Sequence, residues 1–419
     1  MIQQIQYFDT LEDFSNSSLQ SHQVLYINLS DSEINDDDAL DLFFYLEKCT
    51  NLLDLTLDLS YNQIGDLGIY LLGSAFDNCN NLSNLTLQLS HNCFGHVSRL
   101  GSGLANCTNL SDLALYLDNN YIGDQDIQDL SSDLAKCTNL SNLTLKLSEN
   151  KIGVIGVIGL SSALSKCTNL SNLTLYLDQN EIGATGESCL SSAFANCTNI
   201  SNLTLHLCHN QIGANGALAL GSALTNCTNL TSLKLQLYYN LICDEGALGL
   251  GFALKNFTNL TNLTLQLGHN KINAIGASGL GSALGNYTNL SDLTLNLSFN
   301  QIGDEGASNL GHSLVNCANL SNLTLILDHN QIGEIGTLCL GSALANCIYL
   351  QNLTLKLAAN KIDEQIALCL GSALTNCTNI SNLKLYLGEN QINKSQQQLK
   401  VNSKFLKSKR LVFLKIYFQ

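Results

Sequence analysis

A unit of about thirty residues repeats along nearly the whole chain, and this periodicity limits the possible folds more than any other feature. Residues 167–196 contain the frame LxxLxLxLxxNxIG. The alternation from Leu173 to Leu177 predicts a β-strand whose leucines share one face. A helix is predicted next, because apolar residues recur at i, i+3, i+4 and i+7 at Leu190, Ala193, Phe194 and Cys197. One unit is therefore a strand, a turn and a helix.

The copies of this unit stay in register. The second leucine of the frame recurs every 30 residues, with a single step of 28, at Leu25, Leu55, Leu85, Leu113, Leu143, Leu173, Leu203, Leu233, Leu263, Leu293, Leu323, Leu353 and Leu383. One unit buries too few aliphatic side chains to offset the conformational entropy lost when it becomes ordered, so the units must stack. A fixed period of this length indicates a solenoid or a propeller, and one strand per period excludes the four-stranded propeller blade.

The frame also carries a family resemblance. LxxLxL followed by Asn and an aliphatic residue is similar to the leucine-rich repeat, and QIGDEGASNLGHSLVNC at 301–317 resembles its ribonuclease-inhibitor-like subclass. The resemblance spans roughly residues 24–393. It implies an α/β solenoid in the shape of a horseshoe, with a parallel sheet on the concave side and helices on the convex side. It also implies a protein–protein interaction scaffold that binds its partner on the concave face.

Three segments are predicted along the chain. Residues 1–23 do not fit the frame and are expected to form an N-terminal cap, since terminal repeats are commonly atypical. Residues 24–393 form the array of about 13 repeats, and residues 394–419 form a basic C-terminal cap. In that cap a terminal strand is predicted, because the frame is reproduced at Leu411, Leu414, Ile416 and Phe418.

Charge is distributed unevenly between these segments. Residues 394–419 contain seven of the 19 Lys and Arg and no acid, so residues 1–393 carry 12 basic and 34 acidic side chains, a net charge of −22. The array is therefore expected not to bind nucleic acid, whose phosphates require a basic surface. A basic or neutral protein surface is the favoured partner. The basic segment is interpreted as a cap that discourages end-to-end association, with membrane or nucleic-acid contact as the alternative.

The 16 cysteines do not indicate a disulfide scaffold. One repeat position, the cysteine slot, holds Phe257 or Tyr287 in two copies and cysteine in ten: Cys49, Cys79, Cys107, Cys137, Cys167, Cys197, Cys227, Cys317, Cys347 and Cys377. A position that accepts Cys, Phe or Tyr is typical of a buried apolar site with reduced thiols. The start MIQQIQYFDTLEDF lacks a signal-peptide pattern and no long apolar run occurs, so a cytoplasmic monomer without a membrane span is expected.

The candidate binding residues follow from strand geometry. If the strand leucines face the core, the intervening residues face the concave surface. The first of these positions is mostly threonine, whereas the second position and the two residues after the last leucine vary between copies. Aromatic residues at such positions are typical of interface hot spots. The predicted partner-binding residues are Tyr116, Asp118, Tyr176, Asp178, His206, His209, Tyr238, Tyr239, His269 and Asp328. The alternative is that the tyrosines are only strand formers on a solvated face.

Enzymatic chemistry is not expected. His206, Cys208 and His209, with Asp178 one copy earlier, form the only cluster that resembles a nucleophile or a metal site. Catalysis needs a pocket and an orienting group, which an open sheet does not supply by itself. We therefore predict no catalytic residue, no metal and no cofactor. The resembled family also includes GTPase-activating proteins, so GTPase activation or another regulatory role is the alternative. The basic C-terminal segment counts against it, because that subgroup has an acidic tail.

Overall fold

The computed structural model describes residues 5–183, 193–194, 197–375, 377, 379–392, 395–405 and 411–418. It divides into two compact units, Met1–Asn210 and Gln211–Gln419. In both units a short strand alternates with a helix, in the order that the repeat frame predicts. The helix predicted from the stripe that begins at Leu190 lies mostly outside the described residues.

The first unit contains eight parallel strands among its described residues. They pair in chain order, so that Leu143 lies opposite Leu173 and Leu173 opposite Leu203. The strands are Gln6–Phe8, Val24–Asn28, Asp54–Asp58, Asn84–Gln88, Asp112–Tyr116, Asn142–Lys146, Asn172–Tyr176 and Asn202–His206. The α-helices are Leu11–Ser15, Asp36–Leu46, Asp66–Ala75, Ser98–Asn106, Asp124–Leu134 and Val154–Leu164, with 3-10 turns at Leu19–Ser21 and Phe76–Asn78.

The second unit repeats the arrangement with seven parallel strands in its described part. Here too the frame leucines are cross-strand neighbours, as at Leu263 and Leu293. The strands are Ser232–Gln236, Asn262–Gln266, Asp292–Asn296, Asn322–Ile326, Asn352–Lys356, Asn382–Tyr386 and Phe413–Tyr417. The helices are Ala214–Leu224, Cys243–Leu254, Ala274–Leu284, Gly303–Leu314, Glu334–Ala345, Glu364–Thr375 and Ser395–Phe405.

The ends of the chain add strands to both units. Phe413–Tyr417 pairs in parallel with Asn382–Tyr386 and places Leu414 opposite Leu383. At the other end, Gln6–Phe8 pairs with Val24–Asn28 although its sequence does not match the frame. The sheet therefore begins one strand earlier than the frame indicated. Tyr7 stacks on Tyr26 across this first pair, with ring centroids 5.2 Å apart.

Leucines and the cysteine slot fill the interior. The leucines of the strands from Val24–Asn28 to Asn382–Tyr386 are at most 3% exposed, and the slot cysteines are buried and free of disulfides. The slot is not purely apolar, because the Cys317 thiol lies 3.1 Å from the carbonyl of Leu284 in the preceding copy. Tyr287 occupies the same slot and donates its hydroxyl hydrogen to the Leu254 carbonyl at 2.7 Å. Each donor thus binds one turn of the solenoid to the previous one.

The asparagine of the frame closes the turn after each strand. Asn300 is 6% exposed and accepts the backbone N–H groups of Asn270 and Ile272 at 3.0 and 2.9 Å. Its amide nitrogen donates to the Leu267 and Leu297 carbonyls at 2.9 and 3.0 Å. A buried backbone group must find such a partner, which explains why asparagine occupies this position in every copy from Asn62 to Asn390, while Ser32 stands there in the first copy.

Acidic residues at helix starts connect successive helices. One carboxylate oxygen of Asp304 accepts the N–H groups of Gly333 and Gly336, in the next helix, at 2.6 and 3.0 Å. Asp36, Asp124 and Asp244 make the same pair of contacts with the helices that follow them. The first N–H groups of a helix have no intrahelical acceptor, so each aspartate stabilises the helix of its neighbour.

Candidate functional site

The open face is the surface of the sheet that the helices do not cover. Two sets of side chains lie on this face or beside it. Along the strands most of the residues that alternate with the leucines are half-buried, and these residues form this face. The second residue after the last frame leucine lies in the following turn. These positions, called the turn row, all have φ between 50° and 58°: Asp31, Tyr61, His91, Asn119, Glu149, Gln179, His209, Tyr239, His269, Phe299, His329, Ala359 and Glu389. The left-handed conformation excludes β-branched residues but leaves the side chain otherwise free.

In the first unit, an aromatic and cationic row crosses the last position of four neighbouring strands. Its members are Tyr116, Lys146, Tyr176 and His206, and each is the cross-strand partner of the next. The Lys146 ammonium lies 4.6 Å from the ring centroid of Tyr116 and 4.9 Å from that of Tyr176. The two rings therefore stabilise one cation from both sides.

His206 closes this row but is less accessible than the sequence predicted. Its ring centroid lies 3.9 Å from that of Tyr176, and its Nδ1 atom lies 3.5 Å from a carboxylate oxygen of Asp178. Only 8% of His206 is exposed, so its ring packs against Tyr176 and is not accessible to a partner. Burial raises the pKa of Tyr176, and the nearby Tyr116 and Asp178 raise it further.

The three predicted aspartates have structural contacts. Asp118, Asp178 and Asp328 accept the backbone N–H of Ser148, Cys208 and Ala358 in the next copy, at 2.8, 2.6 and 2.7 Å. Burial is the main cause that raises the pKa of Asp118 and of Asp328. Each carboxylate therefore holds the following turn in place, and the second oxygen of Asp118 and of Asp178 also contacts a side chain of the protein.

In the second unit, the turn row carries four stacked rings. Successive ring centroids of Tyr239, His269, Phe299 and His329 are 4.0, 4.1 and 4.0 Å apart, with interplanar angles of 15° to 16°. Tyr239 is 45% exposed and Phe299 is 42% exposed. The repeat spacing brings these rings together, because neighbouring strands lie about 4.8 Å apart.

Tyr238 supports this stack from the strand side. Its ring meets those of Tyr239 and His269 edge-on, with centroids 4.7 and 5.0 Å away. The ring also lies over Gly268 in the next copy, where a Cβ atom would fall 2.0 Å from it. Any side chain at Gly268 would displace Tyr238, so the glycine makes room for the tyrosine.

A shallow cavity of about 430 Å³ adjoins the stack. Its apolar walls are the rings of Tyr239, His269 and Phe299 together with Leu241, which is 46% exposed. Its polar lining comes from Gln211, Asn240, Lys271, Asn300 and Gln301. Aromatic walls with polar groups at the rim are typical of a site that receives a side chain of another protein.

The repeat architecture agrees with one family model. A family model described as Leucine Rich repeat matches residues 49–73, 199–221 and 291–311. Each unit is a leucine-rich-repeat solenoid. No curated protein matches the sequence. Among solved structures, the crystal structure of a TDR receptor is similar over 94% of this chain and 69% of that chain, at 17% identity and a TM-score of 0.37.

The leucine-rich repeats bring together most of the predicted residues in each unit and add three that sequence reasoning did not select. Lys146 joins the row in the first unit, and Phe299 and His329 complete the stack in the second. All three lie at positions that vary between copies, and this variation was the signal that could have identified them. His209 is exposed in the turn row with φ of 57°.

Neither a metal site nor a membrane-spanning helix is found in the described part of the repeats. The cluster of His206, Cys208, His209 and Asp178 does not satisfy the arrangement of three or more ligands that a metal ion needs, and the same holds for the other described residues. None of the described helices is both long enough and apolar enough to cross a bilayer.

Proposed function

We propose that this protein is an interaction scaffold whose open face, concave in a leucine-rich-repeat horseshoe, binds a protein partner. The stack of Tyr239, His269, Phe299 and His329 beside a cavity, with Tyr239 and Phe299 exposed, is the observation that carries the proposal. The row of Tyr116, Lys146 and Tyr176 in the first unit is a second contact surface.

The stacked rings suit this role because they are already fixed in position. A flexible side chain loses conformational freedom when a partner binds, whereas rings held at 4.0 to 4.1 Å by their neighbours have lost most of it on folding. Exposed aromatic groups on a rigid surface contribute most of the binding free energy in many interfaces. The net charge of −15 favours a partner with a neutral or basic surface.

The subclass, the cellular location and the oligomeric state are also part of the proposal. We place the chain in the ribonuclease-inhibitor-like subclass, since copies of 30 residues join one five-residue strand to a helix of nine to twelve residues. The free thiols favour a cytoplasmic location. A monomer that binds a protein, without catalytic residues, cofactor or metal, is the proposed form.

The test removes the exposed rings of the second unit. Full-length protein and the double variant Tyr239→Ala/Phe299→Ala are used to capture partners from the native cell, and captured proteins are quantified by mass spectrometry. The partner that binds the wild type is then titrated by calorimetry. We expect its dissociation constant to rise at least tenfold, since loss of a hot-spot ring costs about 2 kcal/mol or more.

The matched control is Tyr349→Ala/Phe252→Ala, which removes the same residue types from exposed positions outside the open face, 54% and 73% exposed. This variant should keep wild-type affinity. Equal binding by all three proteins would remove the open face of the second unit as the binding surface. Tyr116→Ala/Tyr176→Ala then tests the first unit in the same assay.

A further inference from the structure

A third surface on the open face carries positive charge, although the chain as a whole has a net charge of −15. It lies on the last three strands of the second unit and consists of Lys356, Lys384, Tyr386, Lys415 and Tyr417, called the lysine–tyrosine patch. None of these residues belongs to the aromatic stack or to the predicted binding residues. Lys384 and Lys415 are exposed, and the other three are half-buried.

Strand register places these residues in two adjacent rows. Lys384 is the cross-strand partner of Lys415, and two residues further along the strands Lys356 pairs with Tyr386 and Tyr386 with Tyr417. Like charges on directly opposite residues repel one another. Among the described residues no carboxylate lies within 4.0 Å of any of these three ammonium groups. The charge of Lys356 acts on Asp328, but this carboxylate already accepts the backbone N–H of Ala358.

The two tyrosines stabilise the ammonium groups of the patch. Their rings stack at 4.2 Å and 8°, the Lys356 ammonium lies 4.9 Å from the Tyr386 centroid, and the Lys415 ammonium lies 4.6 Å from the Tyr417 centroid. Hydrogen bonding from Lys415 is the largest cause that lowers the pKa of Tyr417, with help from Tyr386 and from the charges of Lys415 and Lys384. The tyrosine hydroxyl is thus surrounded by donors.

A depression of about 430 Å³ continues the patch toward the start of the strands. Lys384 forms one wall, and the remaining lining comes from Asn352, Leu353, Thr354, Asn382 and Phe413. Ammonium, amide and hydroxyl groups around an apolar ring are suited to a carboxylate on a short aliphatic stem.

We propose that the lysine–tyrosine patch binds an acidic, extended segment of a protein, with one carboxylate at Lys384 and Lys415 and the next at Lys356. Alternate residues of an extended segment face one side about 6.6 Å apart, which is also the distance between the two rows of the patch. The segment binds by charge complementarity to lysines for which the described part of the chain supplies no carboxylate within 4.0 Å.

The ring arrangement argues against nucleic acid at this surface. Binding of single strands relies on bases that stack on free aromatic faces. Tyr386 contacts Tyr417 on its ring and carries the Lys356 ammonium close to its centroid, so it has no free face for a base. A long polyanion would also meet the acidic remainder of the chain, whereas a short acidic segment remains within about one Debye length, ~8 Å, of the patch.

The test uses a labelled peptide of alternating glutamate and serine. Its fluorescence polarisation is measured as the full chain is added at low ionic strength. We expect saturable binding. The double variant Lys384→Gln/Lys415→Gln should raise the dissociation constant roughly tenfold, because two exposed charge pairs are lost. The charge-matched control is Lys166→Gln/Lys255→Gln, at exposed positions outside the patch, which should change affinity less than twofold. Circular dichroism verifies that each variant is folded.

Three results would overturn the assignment. They are equal affinity of the wild type and Lys384→Gln/Lys415→Gln, equal binding of a peptide with glutamine in place of glutamate, and tighter binding of labelled oligothymidylate through the same lysines. Tyr239→Ala/Phe299→Ala should bind the acidic peptide as the wild type does. The assay therefore distinguishes failure of this patch from failure of the aromatic surface.

Discussion

Phe299 and Asn300 are neighbours in one turn, yet they belong to regions that follow different rules. Asn300 is 6% exposed and its side chain satisfies backbone groups of two copies. Phe299 is 42% exposed, and the turn demands only that it adopt φ of 55°. The asparagine row therefore repeats one residue, whereas the turn row holds residues as different as Tyr, Glu, Gln, His and Ala.

The difference shows how a repeat protein separates folding from recognition. Inside the turn, the chemistry of buried N–H and carbonyl groups specifies the side chain. One residue earlier, the constraint is on the backbone alone, and the side chain can change without loss of the fold. The turn row, whose residues differ between copies, consequently lies on a scaffold whose buried residues repeat.

The largest expected effect comes from a substitution in the asparagine row. Asn300→Ala should lower the free energy of unfolding by about 3 kcal/mol, because the Ile272 N–H and the Leu267 carbonyl remain buried without their partner. Phe299→Ala should cost only about 1 kcal/mol, the contribution of ring contacts at an exposed position. Urea denaturation followed by circular dichroism measures both. Equal shifts for the two variants would contradict the contrast between the rows.

A smaller effect tests the backbone constraint of the turn row. Ala359 has φ of 50° and no ring to stack, so Ala359→Gly should raise the free energy of unfolding by roughly 0.5 to 1 kcal/mol through relief of the left-handed conformation. The control is Ala343→Gly in the helix Glu334–Ala345, which should destabilise by about 1 kcal/mol. Thermal unfolding compares them. A loss of stability at both sites would show that the turn does not strain its residue.

The smallest effect concerns the carboxylate next to the turn row. Burial raises the pKa of Asp328, so the folded protein binds a proton more tightly than the unfolded chain and its stability falls as pH rises from about 4 through the folded pKa. Asp328→Asn removes this dependence while its side-chain oxygen can still accept the Ala358 N–H. Its stability relative to the wild type should increase by a few tenths of a kcal/mol between pH 4 and 7, after solvent screening. Urea midpoints at both pH values provide the measurement, and a difference that shrinks with pH would contradict it.

The fold could be predicted from the sequence because the buried positions repeat. The spacing of Leu143, Leu173 and Leu203 specified both the strands and their register, and the helices followed from the same period. The first strand, Gln6–Phe8, was missed because a terminal strand needs only one neighbour and can depart from the frame.

For the candidate surfaces, the sequence could predict which repeat positions contribute side chains, but not the exposure or the contacts of those side chains. Variation between copies marked the residues after the last leucine, but exposure and contacts depend on the neighbouring copy. His206 was expected at the surface and is largely buried beside Tyr176, while Asp118 and Asp178 were expected to face a partner and instead accept backbone N–H groups. Lys146 was passed over because its place between two tyrosines exists only after strands pair.

The buried thiols of the cysteine slot have a consequence for chemical accessibility. Burial raises the pKa of Cys137 and Cys317 to about 12 and that of Cys167 and Cys347 to about 11, so these side chains remain protonated near neutral pH. Alkylating reagents react with the thiolate and must reach the sulfur. Modification at any one of these sulfurs therefore requires the surrounding turn to open, and a map of labelling rates along the chain would report local unfolding turn by turn.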